Sequence, residues 1–247
     1  ENNEGGNDGD IELMQDASLT YADIVVTSYG DSVTTAQELN DVIDGFIASP
    51  SAVGLNDAKN AWLDSREPYL QTEVYRFYEG PIDNETDGPE GLLNAWPMAE
   101  SHVDYVDGDE TSGIVNDESI TIDASTLESL NEEGGEENVA TGYHAIEFLL
   151  WGQDFSDDGP GERPYTDYLT DGSGTAQNQA RRGQYLQVAS ELMVEHLTGL
   201  ETAWTDTEGS YRNDFLAETS EEQLRRILTG MIILSGFETG GERLQAA

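Results

Sequence analysis

From Tyr21 onward, apolar residues recur at helical spacing: Tyr21, Ile24, Val25, Tyr29, Val33, Ala36, Leu39, Ile43 and Phe46. That period predicts an amphipathic helix. Ser49-Pro50-Ser51 ends it, because proline disfavours helical backbone in the residue before it. A second helix is predicted from Leu55 to Tyr78, with Ala58, Ala61, Trp62, Tyr69, Val74 and Phe77 on its apolar side. Pro68 should kink or break it, and Gly80-Pro81 should stop it. Residues 81–136 are rich in Gly, Asp, Asn and Glu, with apolar islands at LLNAWPM and HVDYV. Short helices and loops are expected there, and no strand.

The pattern resumes with GYHAIEFLLW, predicting a helix from about Glu137 to Trp151 with Gly152 as its C-cap. Leu186, Ala189, Met193, Leu197, Leu200 and Trp204 mark another, from about Ala176 to Trp204. Ser220 and Gln223 have capping-box spacing and should open a last helix to about Leu244. Residues 1–16 hold little to bury and read as a flexible acidic tether. The expected organisation is that tether, a first helical half over 17–130 with a long acidic loop, and a second over 131–247. Each half offers a pair of long helices.

Charge changes the picture most. Asp and Glu number 51 against 10 Lys and Arg, a formal net charge of -41, and Lys59 is the only lysine. Nucleic-acid binding is excluded, because phosphate contacts need basic surface. Such self-repulsion destabilises a compact state unless salt screens it. The simplest account is a halophilic protein working in strong brine; the rival is an acidic cation-binding surface. Cysteine is absent, so disulfides and thiolate metal sites are excluded. No apolar run reaches the length of a membrane span. ENNEGGNDGD is no signal peptide and reads as a mature or trimmed start.

The candidate chemistry is sparse. His144 and Glu147 stand three residues apart inside the most apolar helix, so both project from one face. A buried carboxylate needs compensation, which a divalent metal or an arginine supplies. Imidazole and carboxylate suit zinc and iron. The plainer reading of the pair is a satisfied hydrogen bond in a polar core. Arg66, Glu73 and Arg76 lie on the second predicted helix, with Glu73 beside Val74 and Phe77; a solvated charged face is the alternative there. Glu238, Glu242 and Arg243 follow an apolar stretch, and glycines 240 and 241 beside them allow a close helix contact. His102 and His196 carry weaker signals. No G-x-S-x-G, P-loop or dinucleotide fingerprint is present.

Several stretches together resemble the imelysin family, bacterial proteins catalogued as metallopeptidases. They are WLDSREPYLQTEVYRFYEGPID (62–83), GPEGLLNAWPMAE (88–100), NEEGGEENVATGYHAIEFLLWGQD (131–154), GPGERPYTDY (159–168) and ILTGMIILSGFETGGERL (227–244). The order agrees from about Tyr21 to Leu244. The resemblance implies an all-α fold of two helical-bundle-like halves, and makes Gly142, His144 and Glu147 the family's G-x-H-x-x-E signature. Many relatives sit beside iron-uptake genes, and a related domain occurs in a periplasmic ferrous-iron uptake protein. Two departures stand out. Relatives continue beyond G-E-R-L, so the C-terminal half is expected to be incomplete, with an apolar face around Met231 to Phe237 open to self-association. Relatives also tend to carry an acid where this chain has Ala99.

The expectation is therefore a cell-envelope metal-binding protein of iron uptake, periplasmic or extracellular. It would be lipid-anchored through a residue ahead of Glu1 and partnered by other iron-uptake components. The ion would be iron in preference to zinc, because no thiolate exists. Its ligands would be His144, Glu147 and Glu73, with Arg66 and Glu238 as lesser candidates. The alternative is a metallopeptidase using the same HxxE pair.

Overall fold

A computed structural model describes residues 7–244, and these are all-α, with no β-strand among them. The helices are α1 (Asn7–Ala48), α2 (Ala52–Gln71), α3 (Glu90–Asn94), α4 (Glu100–Val103), α5 (Ala124–Leu130), α6 (Gly142–Trp151), α7 (Gln179–Trp204), α8 (Tyr211–Ala217) and α9 (Ser220–Ile233). Short 3-10 turns cover Thr72–Tyr75 and Tyr165–Tyr168, and α9 runs on as a π-helix over Leu234–Arg243.

Helix α1 begins well before Tyr21, taking in ten residues expected to be tether, while residues 1–6 of that expectation lie outside the described part. The sequence IELMQDA explains the extension: it is built mostly of good helix formers, and adding residues to an existing helix costs little. Asp10 sits near its start, where acids favour the helix dipole. Helix α2 starts three residues earlier than the apolar pattern suggests, because the Ser51 hydroxyl accepts from the Gly54 amide at 3.0 Å. Pro68 lies inside α2, and the α-helix gives way to the 3-10 turn after Gln71. The cap of α9 is Thr219, whose side chain accepts from the Glu222 amide, so the capping box starts one residue before Ser220. Gln223 is buried instead, donating to the carbonyls of Leu216 and Glu218.

Contacts sort the chain into two compact units that differ from the predicted split at residue 130. Unit 1 takes residues 1–32, 68–89 and 197–247; unit 2 takes 33–67 and 90–196. The boundary falls inside α1, α2 and α7. Long helices serve both units, so position along a helix, rather than chain half, decides membership.

Unit 1 is held by aromatic packing. Tyr21 meets Tyr75, Trp204 and Phe215 at ring separations of 5.7–6.0 Å, and its hydroxyl shares a 3.0 Å hydrogen bond with Tyr78. Gly230 of α9 lies against the Val74 carbonyl, where a Cβ would collide with the oxygen. That is the close approach expected of glycines 240 and 241, where an added Cβ would meet only atoms of their own helix. Met231, Ile232 and Phe237 are exposed.

Unit 2 is centred on α6. Within this helix only His144, Glu147 and Trp151 keep partial exposure; the other seven residues are buried. Trp62, Leu93 and Tyr168, all buried, contact it. Fully burying each large apolar side chain contributes about 1.5–3 kcal/mol.

Glu73, Asp104 and Asp167 are the buried acids among the described residues. The remaining acids are at least partly exposed, so the repulsion they create is open to screening. Melting temperature should therefore rise by at least about 5 °C from dilute buffer to molar KCl, the shift that ~2 kcal/mol produces in a chain of this size. A thermal scan with no such rise removes the adaptation to brine.

Candidate functional site

Helix α6 is placed by backbone contacts at its start. Gly142 has φ 76°, and a Cβ there would run into the Leu93 carbonyl and lie 2.7 Å from that of Leu92. Only glycine fits both the left-handed backbone and that approach. The Thr141 hydroxyl donates to the Leu92 carbonyl at 2.9 Å. The Asn131 side-chain oxygen accepts from the Ala140 and Thr141 amides, while its NH2 donates to the Gly91 carbonyl. Further on, the indole N–H of Trp62 donates to the Tyr143 carbonyl at 2.9 Å. Gly152 closes the helix with φ 69°, its amide donating to the Phe148 carbonyl, as the sequence predicts.

This scaffold leaves one stripe of α6 facing a cleft. His144 Nδ1 and Glu147 Oε2 are 2.9 Å apart, with side chains 16% and 41% exposed. The Trp96 ring packs on the His144 imidazole at 4.8 Å between centroids. The cleft encloses about 730 Å³ and is walled by Trp62, Trp96, Phe148 and Trp151. Its carboxylates are Glu100, Glu147 and Asp154. Burial pushes the Glu100 carboxyl up, a hydrogen bond from Gln153 partly offsets this, and the Asp154 charge adds to the rise.

Glu73 and Glu238 belong to unit 1, whereas His144 and Glu147 belong to unit 2. Glu73 is 5% exposed and accepts from Arg243 at 2.6 Å; Glu238 is 4.0 Å from the same guanidinium. Arg66 donates to the Asn94 side chain at 2.7 Å and lies over the Tyr143 ring at 4.7 Å. Among the described residues, no group of three or more His, Asp or Glu is placed to hold a metal. Of the five candidates, His144 and Glu147 pair directly, while Glu73 and Glu238 share the Arg243 guanidinium. Burial pushes both His102 and His196 below the usual histidine value, and His196 lies 3.2 Å from Glu128.

A buried ion network escaped the sequence reading. Asp104 accepts from Arg163 at 2.8 Å and from Arg182 at 2.6 and 2.9 Å. Asp167 receives Arg163 at 3.3 Å, the Tyr105 hydroxyl at 2.6 Å and the Thr175 hydroxyl at 2.8 Å. Burial and the bond to Asp167 push the Tyr105 phenol up to about 12. The network supports the cleft: the Arg163 amide donates to the Trp151 carbonyl at 2.7 Å, and its side chain packs on Gly152. Scarcity was the available signal. Ten basic residues less one lysine leave nine arginines, so an arginine followed closely by two tyrosines, as in ERPYTDY, stands out.

The chain is 33% identical over 75 residues to iron-regulated protein A of Synechococcus elongatus, covering 30% of this chain and 20% of that protein. It is similar in structure to a putative iron-regulated protein A precursor from Parabacteroides distasonis, with a TM-score of 0.61 and 23% identity. That match covers 93% of this chain and 58% of the other, so the chain spans little more than half the solved relative and a fifth of the curated one. The family model for imelysin, a peptidase family, matches residues 25–247. With nearly its whole length matched, the chain belongs to the imelysin family.

Proposed function

We propose that this chain is an exported metal-binding protein of iron acquisition, with the ion held by His144 and Glu147 at the cleft. The observation that carries this is the placement of the pair. In a helix buried at seven of its ten positions, an imidazole nitrogen and a carboxylate oxygen stand side by side, 2.9 Å apart, where solvent reaches them. Two donors about 2.1 Å from one ion and about 90° apart are separated by about 3 Å, so the pair fits two neighbouring ligand positions. Glu73 is already engaged by Arg243, so we assign the remaining positions to water or to a group arriving with the ion. Mixed nitrogen and oxygen ligands without thiolate favour iron over zinc. The names of the two relatives, one titled a precursor, support the iron connection and export. No described helix is long and apolar enough to cross a membrane.

Calorimetric titration with ferrous iron, ferric iron and zinc tests the reading. His144→Ala and Glu147→Gln should each weaken binding by at least about 10- to 100-fold, the range seen even for groups one step removed from a metal. Binding should also weaken as pH falls, because protons compete for both donors. Folded variants that bind as tightly as the parent would make the pair a structural hydrogen bond.

One observation favours a second reading, a metallopeptidase. Glu100 shares the cleft, and burial pushes its carboxyl up, the direction that favours a general base. Peptide hydrolysis by metal-loaded protein that disappears in Glu100→Gln would select it.

A further inference from the structure

The cleft is larger than an ion needs. Its volume of about 730 Å³ lies within the range of small-molecule sites, roughly 300–1,000 Å³. The walls combine two features. Indole and phenyl rings supply apolar surface, and Glu100, Glu147 and Asp154 supply negative charge; no Lys or Arg lines the cleft. An anionic ligand would meet carboxylates, and a neutral apolar one would leave their charge only partly balanced, with Arg163 acting on Glu100 from outside the lining. A small hydrated ion would gain little from the rings, because it holds its water tightly.

An organic ammonium meets both demands. Its alkyl groups bury apolar area, its charge is attracted to the face of an indole, and the carboxylates balance it. The protein already shows this chemistry at the cleft wall: the Lys59 ammonium sits 5.3 Å from the centre of the Trp151 ring. Trp96 remains for a ligand, since it lines the cleft and is 67% exposed. Glu100 and Asp154 feel each other's charge, and a cation between the walls would relieve that repulsion.

We propose that the cleft binds an organic cation, an ammonium group with apolar substituents, between Trp96 and the carboxylates of Glu100 and Asp154. This goes beyond the metal reading, because it rests on the indole wall and these two acids rather than on His144.

The test uses wild-type protein, with choline and its neutral tert-butyl isostere as probes. Three of the four tryptophans line the cleft, so indole fluorescence reports occupancy. Choline should bind, and the isostere should bind at least about 10-fold more weakly, since it lacks the charge that rings and acids recognise. Trp96→Ala and Glu100→Gln should each weaken choline by at least about 10-fold, with unchanged melting curves showing that the variants fold. Equal affinity for choline and the isostere, or no choline binding up to about 10 mM, overturns the proposal. Titration of the same wild-type sample with ferrous iron, ferric iron and zinc reports separately on the histidine–glutamate pair. Protein that takes one of these metals but not choline defeats this inference alone; protein that takes choline but none of the three defeats the metal reading alone.

Discussion

Asp104→Ala should lower the unfolding free energy by about 3–5 kcal/mol, the typical loss when one partner of a buried ion pair is removed. Asp104 is fully buried and accepts from two guanidiniums, so its removal leaves Arg163 and Arg182 buried with Asp167 as the one remaining carboxylate of the network. The penalty comes chiefly from these uncompensated charges, and screening reaches them poorly. Molar salt should therefore leave the deficit largely intact even while it raises the stability of both proteins. Urea denaturation at low and high salt measures this. A loss below about 1 kcal/mol would mean that water enters the network and solvates the arginines. The exposed Glu222–Arg225 pair should matter far less, because solvent already screens it.

Gly142→Ala should cost about 2–5 kcal/mol. Left-handed backbone costs a residue with a Cβ about 1–2 kcal/mol, and overpacking adds about 1–3 kcal/mol. The obstruction is the backbone carbonyls of Leu92 and Leu93, which cannot rotate away as a side chain would. If the variant folds, the start of α6 must shift, and His144 two residues on moves with it. Metal affinity should fall together with stability. Gly45→Ala is the contrast: it sits in α1 with nothing within 4 Å of the added carbon, and should stabilise by up to about 1 kcal/mol. A neutral Gly142→Ala in thermal melts would show that the α3–α6 contact is soft.

The all-α class was legible because long apolar stripes of helical period fill α1, α2, α7 and α9, and membership of the family was legible from the stretches around Trp62 and His144. The helix ends were less so. Ser51 and Thr219 cap their helices through hydroxyls, a local choice that competes with neighbouring Ser and Gln residues carrying the same signal. The units were not legible, because a period of 3.6 says which face of α1 is buried but not which partner covers it at each turn. At the site, His144 and Glu147 are neighbours by helix geometry alone, so spacing sufficed. Glu73 shows the limit of that argument. Its burial was expected from Val74 and Phe77, but burial has two remedies, and the chain supplies Arg243, 170 residues away. The Asp104 network failed for the same reason, since its members come from four separate segments and none has a local motif.

The partly exposed stripe of α6 separates two kinds of selection. His144, Glu147 and Trp151 lie on one line of the helix, while the seven other positions carry the packing of unit 2. If the proposed site is right, substitutions of His144 and Glu147 change which ligand is held at less cost to folding than substitutions of the seven buried positions, while Trp151 also packs on Trp62. A lineage built on this helix is free to exchange one ligand chemistry for another in a few steps. Drift in specificity should accumulate at His144 and Glu147 while the fold stays still.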